Sequence, residues 1–489
     1  MLVRPALFWL LVAVLALSLL GNVVLAAAYS TTQFRATLAE QTSSRLSQER
    51  DEAQRQADNR QHELEDLRRQ LAASPTPAAA STAAATATPA PTPAAAAAAA
   101  TPSPEERATL VAIETKVEQI RGLAPLADVP LSFLDRDGLR QFLAQSFEKD
   151  YPPEEREADQ RRYQALGLLK PSDDLTKQLL DLYSQQVIGL YDPDTKRMYL
   201  IGNHAPLSPD DEVTFAHEFT HALQDQHFDL NKIAPNHPDN LDRSLAVHGV
   251  IEGDAVLTMG LWAREALSKQ EQQTLGQGSS SDTGLAQAPR ILREDLLFPY
   301  TSGYQFVAQL HRSGGYQAVD GAFRDPPAST EQVLHPDKYA AHEPPVPVAL
   351  PALAPSLGGA WKELASNVMG EFELRVLLRQ FLAQDVAERA AAGWGGDRFS
   401  VLSDGPHTAL ALRTAWDTAN DAQEFYDAYV QSLGVRFGPA AQTSDPDPAH
   451  HQVLAPEYAV SVEHTGQEVL ILIAPDAGTL QKLEGAFGA

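Results

Sequence analysis

The sequence predicts an α+β protein in which a mainly helical domain with a small β-sheet is followed by a small C-terminal α+β module and preceded by an N-terminal transmembrane helix. Three observations lead there. The chain opens on a long apolar run, and a segment of Ala, Pro, Ser and Thr divides it near residue 100. Behind that divide, helices with readable starts and faces give way to a C-terminal succession of short strands and helices.

Composition narrows the function. The 489 residues carry 64 acidic and 38 basic side chains, a formal charge of −26. Such a surface repels phosphate backbones, which excludes a general nucleic-acid partner. There is no cysteine. Disulfides, cysteine nucleophiles and thiolate metal sites are therefore excluded, and any metal must rest on His, Asp and Glu.

From Pro5 to Ala28 only Ser18 and Asn22 interrupt the apolar run, long enough for a membrane helix of about 20 residues. Arg4 in front of it favours an inside N-terminus, so that the run acts as a single-pass anchor holding the rest extracytoplasmic. The alternative is a cleaved signal peptide and a secreted chain, with Ala26 and Ala28 as small residues at the cleavage site. Residues 33–72 read as a helix in which Ala57, Leu64 and Leu71 recur at seven, and this repeat allows a coiled-coil homodimer. Arg50 and Arg60 on the same seam leave a lone solvated helix equally open. Residues 73–104 cannot build a core and read as a semi-extended stalk. A catalytic domain is expected over 105–355 and the C-terminal module over 356–489.

Val187–Tyr191 and Met198–Ile201, flanking Asp192-Pro-Asp-Thr-Lys, read as a β-hairpin. A helix follows. Ser208 is a good N-cap, Pro209 suits the first helical position, and Asp210, Asp211 and Glu212 complement the positive end of the helix dipole. Val213, Ala216, Phe219 and Leu223 supply its buried stripe. His217 and His221, four apart, project from one face. Two imidazoles at this spacing reach one Zn²⁺, with Glu218 beside them as the general base for a water polarised by the ion.

A catalytic zinc needs a third protein ligand. His227 would complete a longer histidine motif, but Gln224 stands where that motif needs a glycine to turn the chain, so the helix continues and carries His227 away. Glu252 is the better candidate. Leu245, His248, Glu252, Ala255 and Met259 repeat at three and four along a second helix, and an ionisable Glu on such a face needs a cation. A pairing with Arg243 or His248 is the alternative.

These residues resemble the HExxH zincins of the gluzincin, thermolysin-like type. Ala216-His-Glu-Phe-Thr-His-Ala-Leu-Gln-Asp-Gln226 and Glu252-Gly-Asp-Ala255 look like the core of bacterial membrane-anchored zinc metallopeptidases. The resemblance implies that His217, His221 and Glu252 bind zinc, that Glu218 is the catalytic base, and that a peptide or protein is the substrate. By the same analogy Met198–Ile201 would be the edge strand that pairs with substrate. The resemblance departs at Val256, where related helices carry an acidic residue that orients a histidine; Asp254 or Asp225 is left for that role.

Tyr300, Tyr304, His335 and Tyr339 are candidates for the donor that a developing oxyanion requires. Residues 271–290 read as a loop. In the C-terminal module, strands are expected near 398–403, 408–416, 458–463 and 468–473, with helices over 418–433 and 476–487. Two other functions fit the same residues. One is a catalytically silent zincin-fold binding protein whose zinc is closed by a fourth protein ligand, for which His227, His248 and Asp254 are the suspects. The other is a zinc amidase acting on a non-peptide cell-envelope substrate.

Overall fold

The computed structural model describes residues 102–202, 207–235, 240–276 and 282–488. The expected transmembrane segment 5–28, the coiled-coil segment 33–72 and nearly all of the stalk lie outside them. Among the described residues no helix is long and apolar enough to cross a membrane. This corrects the expected fold class and the membrane location that rested on it.

The first described helix, α1 (Pro104–Arg121), starts on a capping box in which Ser103 and Glu106 exchange hydrogen bonds, and it ends at Gly122 in the left-handed conformation. Its buried stripe, Leu110, Ile113 and Val117, runs into a buried Arg121. Strand β1 (Leu131–Leu134) and helices α2 (Arg136–Asp150), α3 (Pro153–Leu166) and α4 (Leu175–Gln186) lead to the expected hairpin of β2 (Gly189–Asp192) and β3 (Arg197–Ile201). Asp192 accepts from the Asp194 amide at 2.9 Å and the Thr195 hydroxyl at 2.7 Å, closing its turn.

The three strands lie in the order β1-β3-β2, with β1 parallel and β2 antiparallel to β3. Met198–Ile201 is therefore the central strand and not an edge. Pairing with β1, more than sixty residues upstream, has no local sequence signal, and it moves the outer position next to the following helix to β2.

Helices α5 (Pro209–Phe228) and α6 (Leu241–Ala266) form the centre of the helical part. Ser208 and Asp211 make the capping box at the head of α5. Helix α6 is buried on almost every side from Leu241 to Ala263, with Asp242, His248, Glu252 and Asp254 among its buried residues. Helix α7 (Arg290–Phe298) runs into a single π-helical turn, Pro299–Gly303, and on into α8 (Tyr304–Arg324). The turn packs on α6 through glycines. A Cβ added to Gly253 would stand 2.4 Å from the Gly303 carbonyl oxygen, and one added to Gly303 would stand 2.4 Å from that of Gly249. Only residues without side chains allow this approach.

The C-terminal part is larger in sheet than expected. Seven antiparallel strands run in the order β4 (Lys362–Asn367), β5 (Trp394–Ser403), β6 (Thr408–Trp416), β10 (Glu468–Ala474), β9 (Ala459–Thr465), β8 (His450–Leu454) and β7 (Gln442–Asp447). The four central strands are those the sequence marks by apolar runs. The other three lie at the two ends of the sheet: β4 is half-exposed and β7 fully exposed, and the inward positions of β8 are only His451 and Val453, so no apolar run announces them. A buried ion pair, Arg162 of α3 to Glu373 at 2.7 Å, joins this part to the helical one.

Candidate metal centre

Helix α5 sets His217 and His221 one turn apart, and α6 lays Glu252 across them. His217 Nε2 is 3.0 Å from His221 Nε2 and 3.2 Å from a Glu252 carboxylate oxygen, and His221 Nε2 is 3.6 Å from the other oxygen. Around an ion with ligands at about 2.0–2.1 Å, the edges of a tetrahedron are about 3.3–3.4 Å long. The three separations straddle that length. All three side chains are fully buried. They form a group able to hold a metal ion.

The electrostatics agree with this fit. Two carboxylates, Glu218 and Glu252, are buried here with two imidazoles, and in the absence of an ion the Glu252 charge is balanced by a proton on His221 that a cation would replace. Without an ion, burial pulls the His221 pKa down, but the Glu252 carboxylate outweighs it and holds the imidazole up at about 9. Burial pushes Glu252 up, and the two histidines overcome this to hold it at about 2. Burial keeps His217 below its ordinary value.

Glu218 follows His217 on α5, and its surroundings come from strand β2. The Ile201 amide donates to the Ile188 carbonyl at 2.9 Å, so alternation turns the main-chain groups of Gly189 and Tyr191 away from β3. The Tyr191 amide faces the Glu218 carboxylate and draws its pKa down a little against burial. Gly189 fits because it has no side chain: a Cβ there would stand 2.7 Å from Thr214 and 3.4 Å from Glu218. Burial, moderated by the charge on His221, lifts the Glu218 pKa to about 8. That value suits a base working near neutrality.

Of the four oxyanion candidates, one is at the site. Tyr300, in the π-helical turn, is 1% exposed, with its ring 6.4 Å from that of His217, and burial together with the charges of Glu252 and Glu218 pushes its pKa well above the ordinary 10. His335 is bound instead to Glu371 at 3.0 Å, the Tyr339 hydroxyl donates to the Asp325 carbonyl, and the charged neighbour of Tyr304 is Arg312. The spacing of the sequence could not separate these four, because the selection is made by the glycine contact between α6 and the π-helical turn.

The suspected fourth ligands lie elsewhere. His227 is exposed on the last turn of α5 and donates to the Ala124 carbonyl at 2.8 Å. Asp254 accepts from Arg121 at 2.9 Å and from Gln224 at 2.8 Å. His248 is buried and bonds to the Ser244 main chain. None of the three joins the ligand group. A second acidic group, Glu331, Glu343 and Asp417, is filled by the Lys338 ammonium at 2.6, 2.8 and 2.5 Å.

Residues 359–484, which span the seven-stranded sheet and not the metal centre, match a family described as a domain of unknown function, DUF8575. A crystal structure from Chloroflexus aurantiacus, described as "a putative hydrolase with a novel fold", is similar at 16% identity and a TM-score of 0.34, over 49% of this chain and 88% of that one. No curated protein matches the chain.

Proposed function

We propose that this chain is a zinc-dependent hydrolase that cleaves peptide bonds, of the HExxH gluzincin kind that its motifs resemble. The observation that carries this reading is a buried set of His217, His221 and Glu252 with no fourth protein ligand among the described residues and with Glu218 alongside. Three protein ligands and an open position belong to catalytic zinc, four to structural zinc.

Zinc held by these residues would polarise the scissile carbonyl and acidify the attacking water. The work of the chain is to hold and move protons around it. Glu218, lifted toward neutrality by burial, takes the proton from the water and returns it to the leaving amine. Tyr300, whose proton is held firmly by burial, would donate a hydrogen bond from its hydroxyl to the oxygen on which charge develops.

The complete enclosure of the ligands favours a second reading, a silent protein with zinc as a structural tie. The test is metal analysis of the full chain combined with cleavage of a broad peptide library, with and without chelator. One zinc per chain and cleavage abolished by chelator are expected. One zinc without cleavage would favour the structural tie, and no zinc at all would remove both readings.

A further inference from the structure

Gln224, one turn beyond the second histidine, is buried and makes three hydrogen bonds. Its amide nitrogen lies 3.0 Å from the Ile251 carbonyl oxygen and 2.8 Å from an Asp254 carboxylate oxygen. Both are acceptors. Turning the amide over would set its oxygen against two others, so the donating end is fixed. The amide oxygen must then face His221 Nδ1, at 2.8 Å. Because that oxygen can only accept, Nδ1 must carry a proton, which leaves Nε2 to offer its lone pair to an ion.

The bracing continues away from the site. The Asp254 oxygen that receives Gln224 also receives Nε of Arg121 at 2.9 Å, and Arg121 reaches Asp320 of α8 at 2.7 Å. The Arg121 guanidinium lies over the Tyr316 ring, 4.7 Å from its centre. Asp254 is thus held between the end of α1 and the last turns of α5, and cannot swing away from Gln224 without leaving a buried guanidinium behind. His217 has no such support: its Nδ1 is buried with no hydrogen-bond partner among the described residues. The two histidines are therefore not equivalent.

We propose that Gln224 is a positioning residue that fixes the proton of His221 on Nδ1 and so commits Nε2 to the metal, with Asp254 and Arg121 fixing the sense of the Gln224 amide. This deepens, and rests on, the reading of the site as a zinc centre. The orientation of a metal-binding histidine by its other ring nitrogen is worth about 10–100-fold in metal affinity.

The experiment uses the full chain with ¹⁵N-labelled histidine. Ring spectra should show a hydrogen-bonded Nδ1–H on His221 in the wild type, with or without zinc. In Gln224→Met that bond should be gone and zinc affinity, measured by competition with a chelator, should fall about 10–100-fold, while the metal-free protein, though melting at a lower temperature because buried polar groups lose a partner, still unfolds cooperatively. Gln224→Glu, which keeps an oxygen opposite Nδ1 but sets its other oxygen against the Ile251 carbonyl and the Asp254 carboxylate, should retain the hydrogen-bonded Nδ1–H that Gln224→Met loses without restoring the full affinity. A wild-type His221 with its proton on Nε2 alone, or Gln224→Met with undiminished zinc affinity, overturns the proposal. If the wild type binds no zinc the functional reading fails, and the ring spectrum alone then decides where His221 carries its proton.

Discussion

Gly253 and Gly303 meet main chain against main chain, and through that contact Tyr300 is brought to Glu252. An added methyl at Gly253 would have to displace backbone, since the atoms it meets are the Gly303 carbonyl and the Tyr304 amide nitrogen. Gly253→Ala should destabilise the protein by about 1–3 kcal/mol and lower turnover further by shifting Tyr300. Gly321→Ala in α8, where nothing lies within 4 Å, is the control and should melt at or slightly above the wild-type temperature. Thermal melts of both, with activity per folded molecule, check this.

Glu218→Gln preserves shape and removes the base. Zinc content should stay at the wild-type level while turnover falls by about 10²–10⁴-fold, read from metal analysis and steady-state rates on the same preparation. Full turnover in this variant would remove the role given to Glu218.

Tyr300→Phe removes one hydroxyl and leaves the ring beside His217. The expected loss is about 10²–10³ in kcat, with little change in KM and none in zinc content. A change confined to KM would assign the hydroxyl to substrate binding.

Zinc binding should release a proton. In the metal-free site His221 is held protonated up to about 9, above its ordinary 6.5, and an ion bonded to Nε2 must expel that proton. Affinity should therefore rise about tenfold per pH unit on approach to pH 9 and level off above it. Calorimetry in buffers of different ionisation enthalpy counts the protons. The same pair sets the stability of the metal-free protein. The contribution of His221 is fully present below pH 6.5 and lost as pH rises through about 9, whereas that of Glu252 is present above pH 4.5 and lost as pH falls through about 2. Its stabilisation is therefore greatest between about pH 4.5 and 6.5, and Glu252→Gln should flatten both limbs.

What the sequence made legible follows from how local each signal is. The start of α5 and the facing of its histidines depend on a cap and a spacing of four, both contained in one helix. Glu252 was readable because an ionisable residue on an apolar repeat needs a partner, and α6 supplies the repeat. The outer position of β2 depends on the pairing of β1 with β3, and the choice of Tyr300 depends on a glycine contact between distant segments. Neither has a local signature. Edge strands β4 and β7 escaped because half-exposed or fully exposed strands have no core face to mark them. Gln224 was visible as the residue that keeps the helix from turning, but its bond to His221 emerges only once α6 brings Asp254 and the Ile251 carbonyl alongside.

At position 224 one side chain settles two questions at once. A residue without a side chain would free the backbone to veer and deliver the histidine three places later as the remaining ligand. Glutamine instead keeps the helix straight, hands that vacancy to a carboxylate on the neighbouring helix, and uses its own amide to steady the imidazole below. Glycine at 224 would thus remove in one change both the straight course of the helix and the brace on His221.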